Sequence, residues 1–317
     1  MALVNVGDML ARARREGYAV GAFNFFDYAT LAAVVEAAAA AASPAILQTL
    51  PPVVGRFGTS SIAAWARELA GRYPRVPLAL HLDHGSDLGM LEQAIRDGYT
   101  SVMFDGSTLP FEENVAKTRQ VVAWAKKKGV SVEAEIGAIK GVEDLVSVSE
   151  KEAFFTDPEE AVKFVKMTGC DSLAISIGTA HGAFKSKTAP ELDIERLKKI
   201  DALVRIPLVL HGASGISPEM LAKAKEHCDL LQDCDRLRGA VGVSDEDIKR
   251  AIRHGIRKIN IDSDLRIAFT AGLRDAIIGN LKAIDPRVLL APSKKLMKEV
   301  VRHKMELFGS QGRAGKR

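Results

Sequence analysis

The sequence contains little cysteine and little excess charge. Its 317 residues include three cysteines, an odd number that is too small for a disulfide framework and is typical of a reducing compartment. Lys and Arg number 44 against 40 Asp and Glu, so the net charge is +4. This excess is too small to indicate a nucleic-acid partner, and the short basic stretch at 313–317 is interpreted as a solvated end. The cysteines are Cys170, Cys228 and Cys234.

Long apolar runs are also absent. The most apolar stretch, residues 31–42, contains Glu36 and is too short to cross a bilayer. Near the beginning of the chain, Arg12, Arg14 and Glu16 interrupt any apolar segment, so no signal peptide is expected. These features predict a cytoplasmic protein that contacts neither membranes nor nucleic acid.

The chain further lacks a G-x-G-x-x-G motif after its first predicted strand, which disfavours a dinucleotide-binding fold. It also lacks a linker rich in proline, glycine or serine. Division of 317 residues by about 150 suggests two domains, but α/β barrels reach about 250 residues as one. Because no boundary is visible, we predict a single domain over 1–317.

Eight short apolar runs alternate with helical segments, and each run ends in a polar or glycine-rich turn. Such runs are typical of strands buried on both faces of a parallel sheet. Eight alternations predict an α/β fold, a (β/α)8 TIM barrel, with extra C-terminal helices in an arm over about 279–317. The predicted strands are 19–24, 45–49, 78–84, 101–105, 130–137, 172–178, 208–214 and 258–262.

Ionisable side chains gather at the predicted strand ends, where barrel enzymes carry their chemistry. Burying several such groups is costly unless they are paired or bind a metal. His84, His181 and His211 follow three different strands, so they can converge, and three histidines with an open fourth position form a catalytic zinc arrangement. Other polar residues at these ends are Asn24, Asp83, Asp105, Glu133, Glu135, Asn260, Asp262 and Ser263.

Strict alternation along the third strand points His81 and Asp83 away from His84. We therefore interpret His81 as an outer neighbour of the site or as part of the barrel wall. A turn or bulge at the strand end would bring Asp83 and His84 together, and Asp83 could then move protons. The long stretch 137–152, which carries Glu143, is either a lid over the site or a solvated acidic loop.

Six motifs, spread in order over nearly the whole chain, resemble those of the class II, metal-dependent fructose-bisphosphate aldolases. Any one of them is weak, but together they are highly specific. The closing segments 305–310 and 312–314 are also similar to that family's ending. The motifs are 21–24 (GAFN), 82–85 (LDHG), 133–137 (EAEIG), 178–182 (GTAHG), 210–215 (LHGASG) and 258–264 (KINIDSD).

The resemblance implies reversible cleavage of D-fructose 1,6-bisphosphate to dihydroxyacetone phosphate and D-glyceraldehyde 3-phosphate, through an enediolate stabilised by Zn2+. His84, His181 and His211 match the zinc ligands. Asp83 matches the general acid/base at the C4 oxygen, and Glu143 matches the loop glutamate that moves the proton at the dihydroxyacetone carbon. Asp105 and Glu135 match carboxylates near the metal, which could serve a second divalent position.

The resemblance also implies sites for two phosphates and an oligomer. A monovalent cation, Na+ or K+, is implied near the first phosphate. Arg287 matches an arginine that reaches a neighbouring subunit's site, which requires a homodimer or homotetramer. The matching phosphate and substrate contacts are Asn24, Gly182, Gly212, Ser214, Asn260, Asp262, Ser263 and Arg287.

Alternatives remain at this stage. Leu50 stands where the family usually has Ser or Thr, which leaves open another phosphorylated ketose, such as D-tagatose 1,6-bisphosphate, or a deoxyketogluconate phosphate. Asp262 favours fructose bisphosphate, because tagatose-specific relatives usually carry a small residue there. A Schiff-base mechanism on Lys258 is disfavoured, as is a non-catalytic sugar-phosphate-binding barrel. The segment 223–243 is interpreted as a solvated excursion or an oligomer contact.

Overall fold

The structure is a computed structural model of the chain. It describes residues 3–137, 140–143, 146–148, 155–181, 191–213, 215, 218–226 and 242–315. For residues 140–143, 146–148, 180, 181 and 218 it describes the backbone but not the side chains.

Eight parallel strands close into a barrel in the order β1-β11-β10-β8-β5-β4-β3-β2. Every residue of these strands from β1 to β11 is buried, as expected for strands covered on both faces. The predicted TIM barrel is therefore confirmed. The barrel strands are β1 (Val20–Asn24), β2 (Ala45–Thr49), β3 (Leu78–Gly85), β4 (Ser101–Phe104), β5 (Ser131–Ile136), β8 (Ser172–Ile175), β10 (Leu208–Leu210) and β11 (Ile256–Ile261).

Three further strands, β6 (Lys140–Glu143), β7 (Val146–Val148) and β9 (Ala180–His181), form a small second sheet. The sequence did not predict this sheet. The helices are α1 (Val6–Glu16), α2 (Tyr28–Ala40), α3 (Pro51–Phe57), α4 (Thr59–Arg72), α5 (Leu88–Asp97), α6 (Phe111–Lys126), α7 (Pro158–Thr168), α8 (Ile194–Leu203), α9 (Pro218–Lys225), α10 (Asp245–Arg253), α11 (Ser263–Gly279) and α12 (Pro286–Leu307).

The barrel interior changes from apolar to polar along its axis. At the amino ends of the strands, Val6 and Leu10 of α1 pack against Val20, Ile46 and Ala79 in one apolar cluster. Towards the carboxyl ends the inward positions are polar, because the strand alternation brings in the motif residues described above. Helix α1 thus closes one end of the barrel and leaves the chemistry at the other.

The C-terminal arm packs on the barrel's helices. Helix α12 lies against α11 and α2, and both Lys294 and Lys298 contact Glu36 of α2, at 2.6 and 3.2 Å. Gly272 of α11 lies so close to α12 that a Cβ atom would overlap the backbone of Pro292 and Ser293. Among the described residues, no helix is both long enough and apolar enough to cross a membrane.

Candidate active site

The carboxyl end of β3 brings Asp83 and His84 to one side of the barrel. His84 has a left-handed backbone with φ 47°, and the register of β3 with β4 shifts between Leu82 and Gly85. Such a bulge re-aims the side chains that follow it. Asp83 Oδ2 consequently lies 3.8 Å from His84 Nε2. Strict alternation is therefore wrong here, and the alternative left open by the sequence, a bulge at the strand end that brings Asp83 and His84 together, is confirmed.

Asp105, which follows β4, fixes the imidazole of His84. Asp105 Oδ2 lies 2.7 Å from His84 Nδ1, and Oδ1 accepts hydrogen bonds from the Ser107 hydroxyl (2.7 Å) and backbone N–H (3.1 Å). Burial by itself raises the pKa of the Asp105 carboxyl, but the hydrogen bond and charge of His84, together with the hydrogen bonds from Ser107, lower it below its usual value. Held through Nδ1, the ring presents Nε2 on the side of Asp83.

His211 follows β10 and is held in the same way. Its Nε2 lies 2.9 Å from Oε1 of Glu133 on β5. The His211 ring meets the His84 ring edge to face, with centroids 4.7 Å apart. One potential ligand atom from each of Asp83, His84 and His211 lies within 4.8 Å of the others, so the bulge on β3 and the end of β10 build one cluster.

Glu135, two residues beyond Glu133 on β5, adds a second carboxylate to this cluster. Its Oε2 lies 3.6 Å from His211 Nδ1, and Glu135 groups with His84 and Asp105 within the same 4.8 Å limit. Burial raises the pKa of the Glu135 carboxyl well above its usual value, and the nearby Asp105 carboxylate adds to the rise. Within the described part of the chain, Glu135 Oε2 is buried without a hydrogen-bond partner.

These residues fit a divalent cation. Metal-binding histidines usually have their other ring nitrogen held by a carboxylate, as Asp105 and Glu133 hold His84 and His211 here. A buried carboxylate oxygen without a hydrogen-bond partner is rare in a folded protein and suits a bound cation. The mixture of imidazole nitrogen and carboxylate oxygen is one that zinc accepts.

Two side-chain amides donate hydrogen bonds to the Asp83 carboxylate. Gln48 Nε2 donates to Asp83 Oδ2 at 2.8 Å, and Asn260 Nδ2 donates at 3.0 Å to Oδ2 and 3.2 Å to Oδ1. Burial alone raises the pKa of the Asp83 carboxyl, but the facing His84 and Lys258 lower it well below its usual value. A carboxylate kept ionised in a buried, polar site can act as a base.

A chain of polar contacts runs from Asp83 to the rim of the barrel. Gln48 Nε2 also donates to Asn24 Oδ1 (2.7 Å), and Asn24 Nδ2 donates to Asp262 Oδ1 (2.9 Å). At the rim, Arg266 Nε lies 2.8 Å from Asp262 Oδ2, and its guanidinium lies over the Phe26 ring at 4.7 Å from the centroid. These contacts join the predicted Asn24, Asn260 and Asp262 into one wall of the site.

Other predicted site residues lie at helix starts or in a loop. Ser263 is buried at the first position of α11, and Gly212 has φ 61°, a conformation that disfavours any side chain. Arg287 is not brought to the cluster in this chain. It stands in the first turn of α12 with its side chain 90% exposed, 2.7 Å from Asp285.

Other predicted positions lie outside the description. Gly182 and Ser214 are not among the described residues, nor are the side chains of His181 and Glu143, nor much of 223–243. The backbones of His181 and Glu143 belong to adjoining strands, because β9 pairs with β6 with His181 opposite Gly141. In the small sheet, the strand that contains Glu143 therefore lies beside the strand that contains His181.

Sequence reasoning missed three residues of the cluster as site residues: Glu133, Lys258 and Gln48. All three lie within strands, and all are fully buried. The two-residue alternation of strands would have indicated two of them, since Glu133 shares a face with Glu135 and Lys258 shares one with Asn260. It gives no such signal for Gln48. Leu50, where a hydroxyl was expected, is buried in the residue before α3, and the amide of Gln48 instead reaches the site from β2.

Comparison with known proteins identifies the family of the chain. The profile of the fructose-bisphosphate aldolase class-II family matches residues 4–228 and 236–313. A fructose-bisphosphate aldolase from Thermus caldophilus is 46% identical over 315 residues, covering 98% of this chain and 100% of the relative. A fructose-bisphosphate aldolase from Helicobacter pylori is 43% identical over 308 residues, covering 97% of this chain and 98% of the relative.

Solved structures of aldolases have a similar fold. The crystal structure of the YdjI aldolase from Escherichia coli K12 superposes with a TM-score of 0.76 at 31% identity, covering 98% of this chain and 99% of the other. A crystal structure of a putative fructose-1,6-biphosphate aldolase from Coccidioides immitis superposes with a TM-score of 0.77 at 27% identity, covering 97% and 96%.

Proposed function

Because the chain belongs to the class II fructose-bisphosphate aldolase family, we propose that it reversibly cleaves D-fructose 1,6-bisphosphate to dihydroxyacetone phosphate and D-glyceraldehyde 3-phosphate. The observation that carries this proposal is the cluster of Asp83, His84 and His211 at the carboxyl end of the barrel. A lyase that breaks a carbon–carbon bond beside a ketone needs an electron sink and a proton carrier, and the cluster contains groups suited to both.

His84, His211 and His181 would hold a zinc ion, with Glu135 and Asp105 near enough to serve a second divalent position. Bound there, the ion supplies a Lewis acid that polarises the substrate's ketone oxygen. The support in this chain is the pair of carboxylates, Asp105 and Glu133, that orient the two described imidazoles. It is supplemented by the buried oxygen of Glu135 described above.

Asp83 would carry the proton at C4. In the cleavage direction its carboxylate takes the proton of the C4 hydroxyl, the C3–C4 bond breaks, and the bonding electrons move towards the ketone. Glu143, on the strand beside His181, would return a proton to C3 and so complete dihydroxyacetone phosphate. In the condensation direction both transfers run in reverse.

The substrate's phosphates would be bound by the strand-end loops. Gly212 and Ser214 after β10, with Gly182 after β9, would offer backbone and hydroxyl donors to one phosphate, and a Na+ or K+ ion would lie nearby. Asn24, Asn260, Asp262 and Ser263 would line the sugar chain, and the Asn24–Asp262 contact at 2.9 Å supports this assignment. Arg287 would reach the distal phosphate of a neighbouring subunit.

We propose that the chain works as a homodimer or homotetramer in the cytoplasm, with residues 1–317 acting as one domain. Large apolar side chains stand exposed where α11 meets α12, beside Arg287, with Leu281 82% and Ile284 92% accessible. Two apolar side chains so exposed and so close in the chain support an association surface at this corner. The contacts of Lys294 and Lys298 with α2 support a single domain that includes the arm 279–317.

Steady-state assays of the purified protein test this function. We expect D-fructose 1,6-bisphosphate to give a kcat/KM at least about tenfold above that of D-tagatose 1,6-bisphosphate, since the family name and Asp262 both favour it. Treatment with EDTA should abolish cleavage, and zinc should restore it. A protein that prefers the tagatose substrate, or that keeps full activity after metal removal confirmed by elemental analysis, would contradict the proposal.

A further inference from the structure

Lys258 is a fully buried lysine inside the barrel, on β11. Its Nζ lies 2.9 Å from Glu133 Oε2, 3.5 Å from His81 Nε2 and 3.8 Å from Asp83 Oδ1. Burying a lysine is costly unless partners compensate, so its place among these groups demands a role. The reaction proposed above assigns it none.

Glu133 uses its two oxygens on two different partners. Oε2 faces Lys258, while Oε1 lies 2.9 Å from His211 Nε2. A carboxylate has only acceptors, so the hydrogen of this bond comes from His211 Nε2. The nitrogen that faces Glu135 and the metal cluster, Nδ1, is then the one with a lone pair, as metal binding requires.

We propose that Lys258 is a positioning residue: by holding Oε2 of Glu133, it keeps Oε1 turned towards His211 Nε2, so that the His211 ring is held with Nδ1 towards the metal cluster. This inference rests on the proposed function, because it presumes a metal at the cluster. A lysine suits the task, because its ammonium group has three donors and no acceptor, so at position 133 it holds an acceptor oxygen and not an amide N–H.

Replacing Glu133 by glutamine tests whether Lys258 decides which end of this side chain faces His211. In Glu133→Gln, Lys258 would attract the amide oxygen and leave the amide nitrogen facing His211. That nitrogen donates, so His211 Nε2 would have to accept, and its proton would move to Nδ1, where it blocks the metal. In the double variant Lys258→Met/Glu133→Gln the amide is free to turn its oxygen to His211, and the metal-binding tautomer returns.

The test is zinc affinity, measured by competition with a chromophoric chelator on folded, metal-stripped proteins. Glu133→Gln should bind zinc at least about tenfold more weakly than the wild type, the range seen when an outer partner of a metal-binding histidine is lost. The double variant should recover to within about threefold of the wild type. Rescue by a second substitution is not expected of a merely structural residue, whose loss would add to the damage.

Arg257→Met is the matched control. Arg257 precedes Lys258 on β11, is also buried, and donates to the carbonyl oxygens of Ile252 and Ile256 rather than to the cluster. It should lower thermal stability and leave zinc affinity unchanged. The tautomer is also read directly from long-range ¹H–¹⁵N NMR spectra of His211 in the folded metal-free wild type, where Nε2 should carry the proton.

Three results would overturn the inference: a double variant that binds zinc no better than Glu133→Gln, a Glu133→Gln protein that binds like the wild type, or a proton on His211 Nδ1. Each leaves the proposed function standing, provided that the wild type binds zinc and cleaves fructose bisphosphate. A wild type that does not bind zinc would overturn the proposed function and this inference together.

Discussion

At the scale of single residues, Asp83 is the group whose chemistry is easiest to separate from folding. Asparagine has the same size but cannot take up a proton, so Asp83→Asn should lower kcat by about 10²–10⁴-fold while zinc content stays the same. Stopped assays of fructose bisphosphate cleavage, with metal analysis of the same samples, measure both quantities.

The control for this variant is Asp171→Asn, at the other end of the barrel. Asp171 accepts a hydrogen bond from the Val132 backbone N–H at 2.7 Å and contacts none of the cluster residues in the described structure. Its replacement should leave kcat within about twofold of the wild type. If Asp83→Asn keeps more than a tenth of the wild-type kcat, the proton-transfer role assigned to Asp83 is wrong.

The sequence predicted the members of the cluster well. It predicted less well the contacts that hold them. Asp83, His84 and His211 were predicted because strand ends in a barrel converge. Glu133 and Lys258 were not assigned to the site, because alternation shows which face of its strand each residue shares but does not show its partner. The role of each depends on the residue facing it across the barrel, and that pairing comes from strands far apart in the chain.

At the scale of secondary structure, the contact between α11 and α12 depends on one glycine. Gly272→Ala would place a methyl group into the backbone of Pro292 and Ser293, and the helices would have to separate. Overpacking of this kind should reduce the free energy of unfolding by roughly 1–3 kcal/mol, measured by urea denaturation.

Gly279→Ala, in the last position of the same helix, is the matched control. A Cβ atom at Gly279 meets no atom within 4 Å, so the substitution should be neutral or slightly stabilising, by at most about 1 kcal/mol. Equal effects at the two glycines would mean that helix propensity, and not the approach of α12, determines the cost.

Element boundaries followed local signals closely, and errors came where tertiary context decides. The strand predicted over 258–262 begins two residues earlier, at Ile256, because pairing with β10 extends it. The strand predicted over 208–214 is shorter in the structure, where β10 covers Leu208–Leu210, residues 211–213 lie beyond it, and Ser214 is not among the described residues. The small sheet of β6, β7 and β9 has no apolar alternation long enough to be read from the sequence.

At the scale of the whole molecule, association should be needed for full activity. Light scattering should give the wild type a mass of at least twice the 34.2 kDa of one chain. Ile284→Lys, which places a charge on the exposed apolar corner, should shift the protein towards 34.2 kDa and raise KM, since Arg287 would then leave its neighbour's phosphate.

Leu203→Lys serves as its control, because Leu203 is also exposed, at 52%, but lies at the end of α8. It should change neither the mass nor KM. A wild type that runs as a monomer with full activity would refute the association proposal, and so would an Ile284→Lys protein that is monomeric yet kinetically normal.

The closure of the barrel also affects the order of events during folding. Val20 near the start of the chain pairs with Lys258 near its end, so the barrel seals only when its last strand arrives. That strand also brings the ammonium group that faces Glu133 and Asp83. While the chain is being synthesised, these acids are made long before their buried counter-charge. The step that completes the wall therefore also brings a positive charge to these acids, which ties the two events into one late stage of folding.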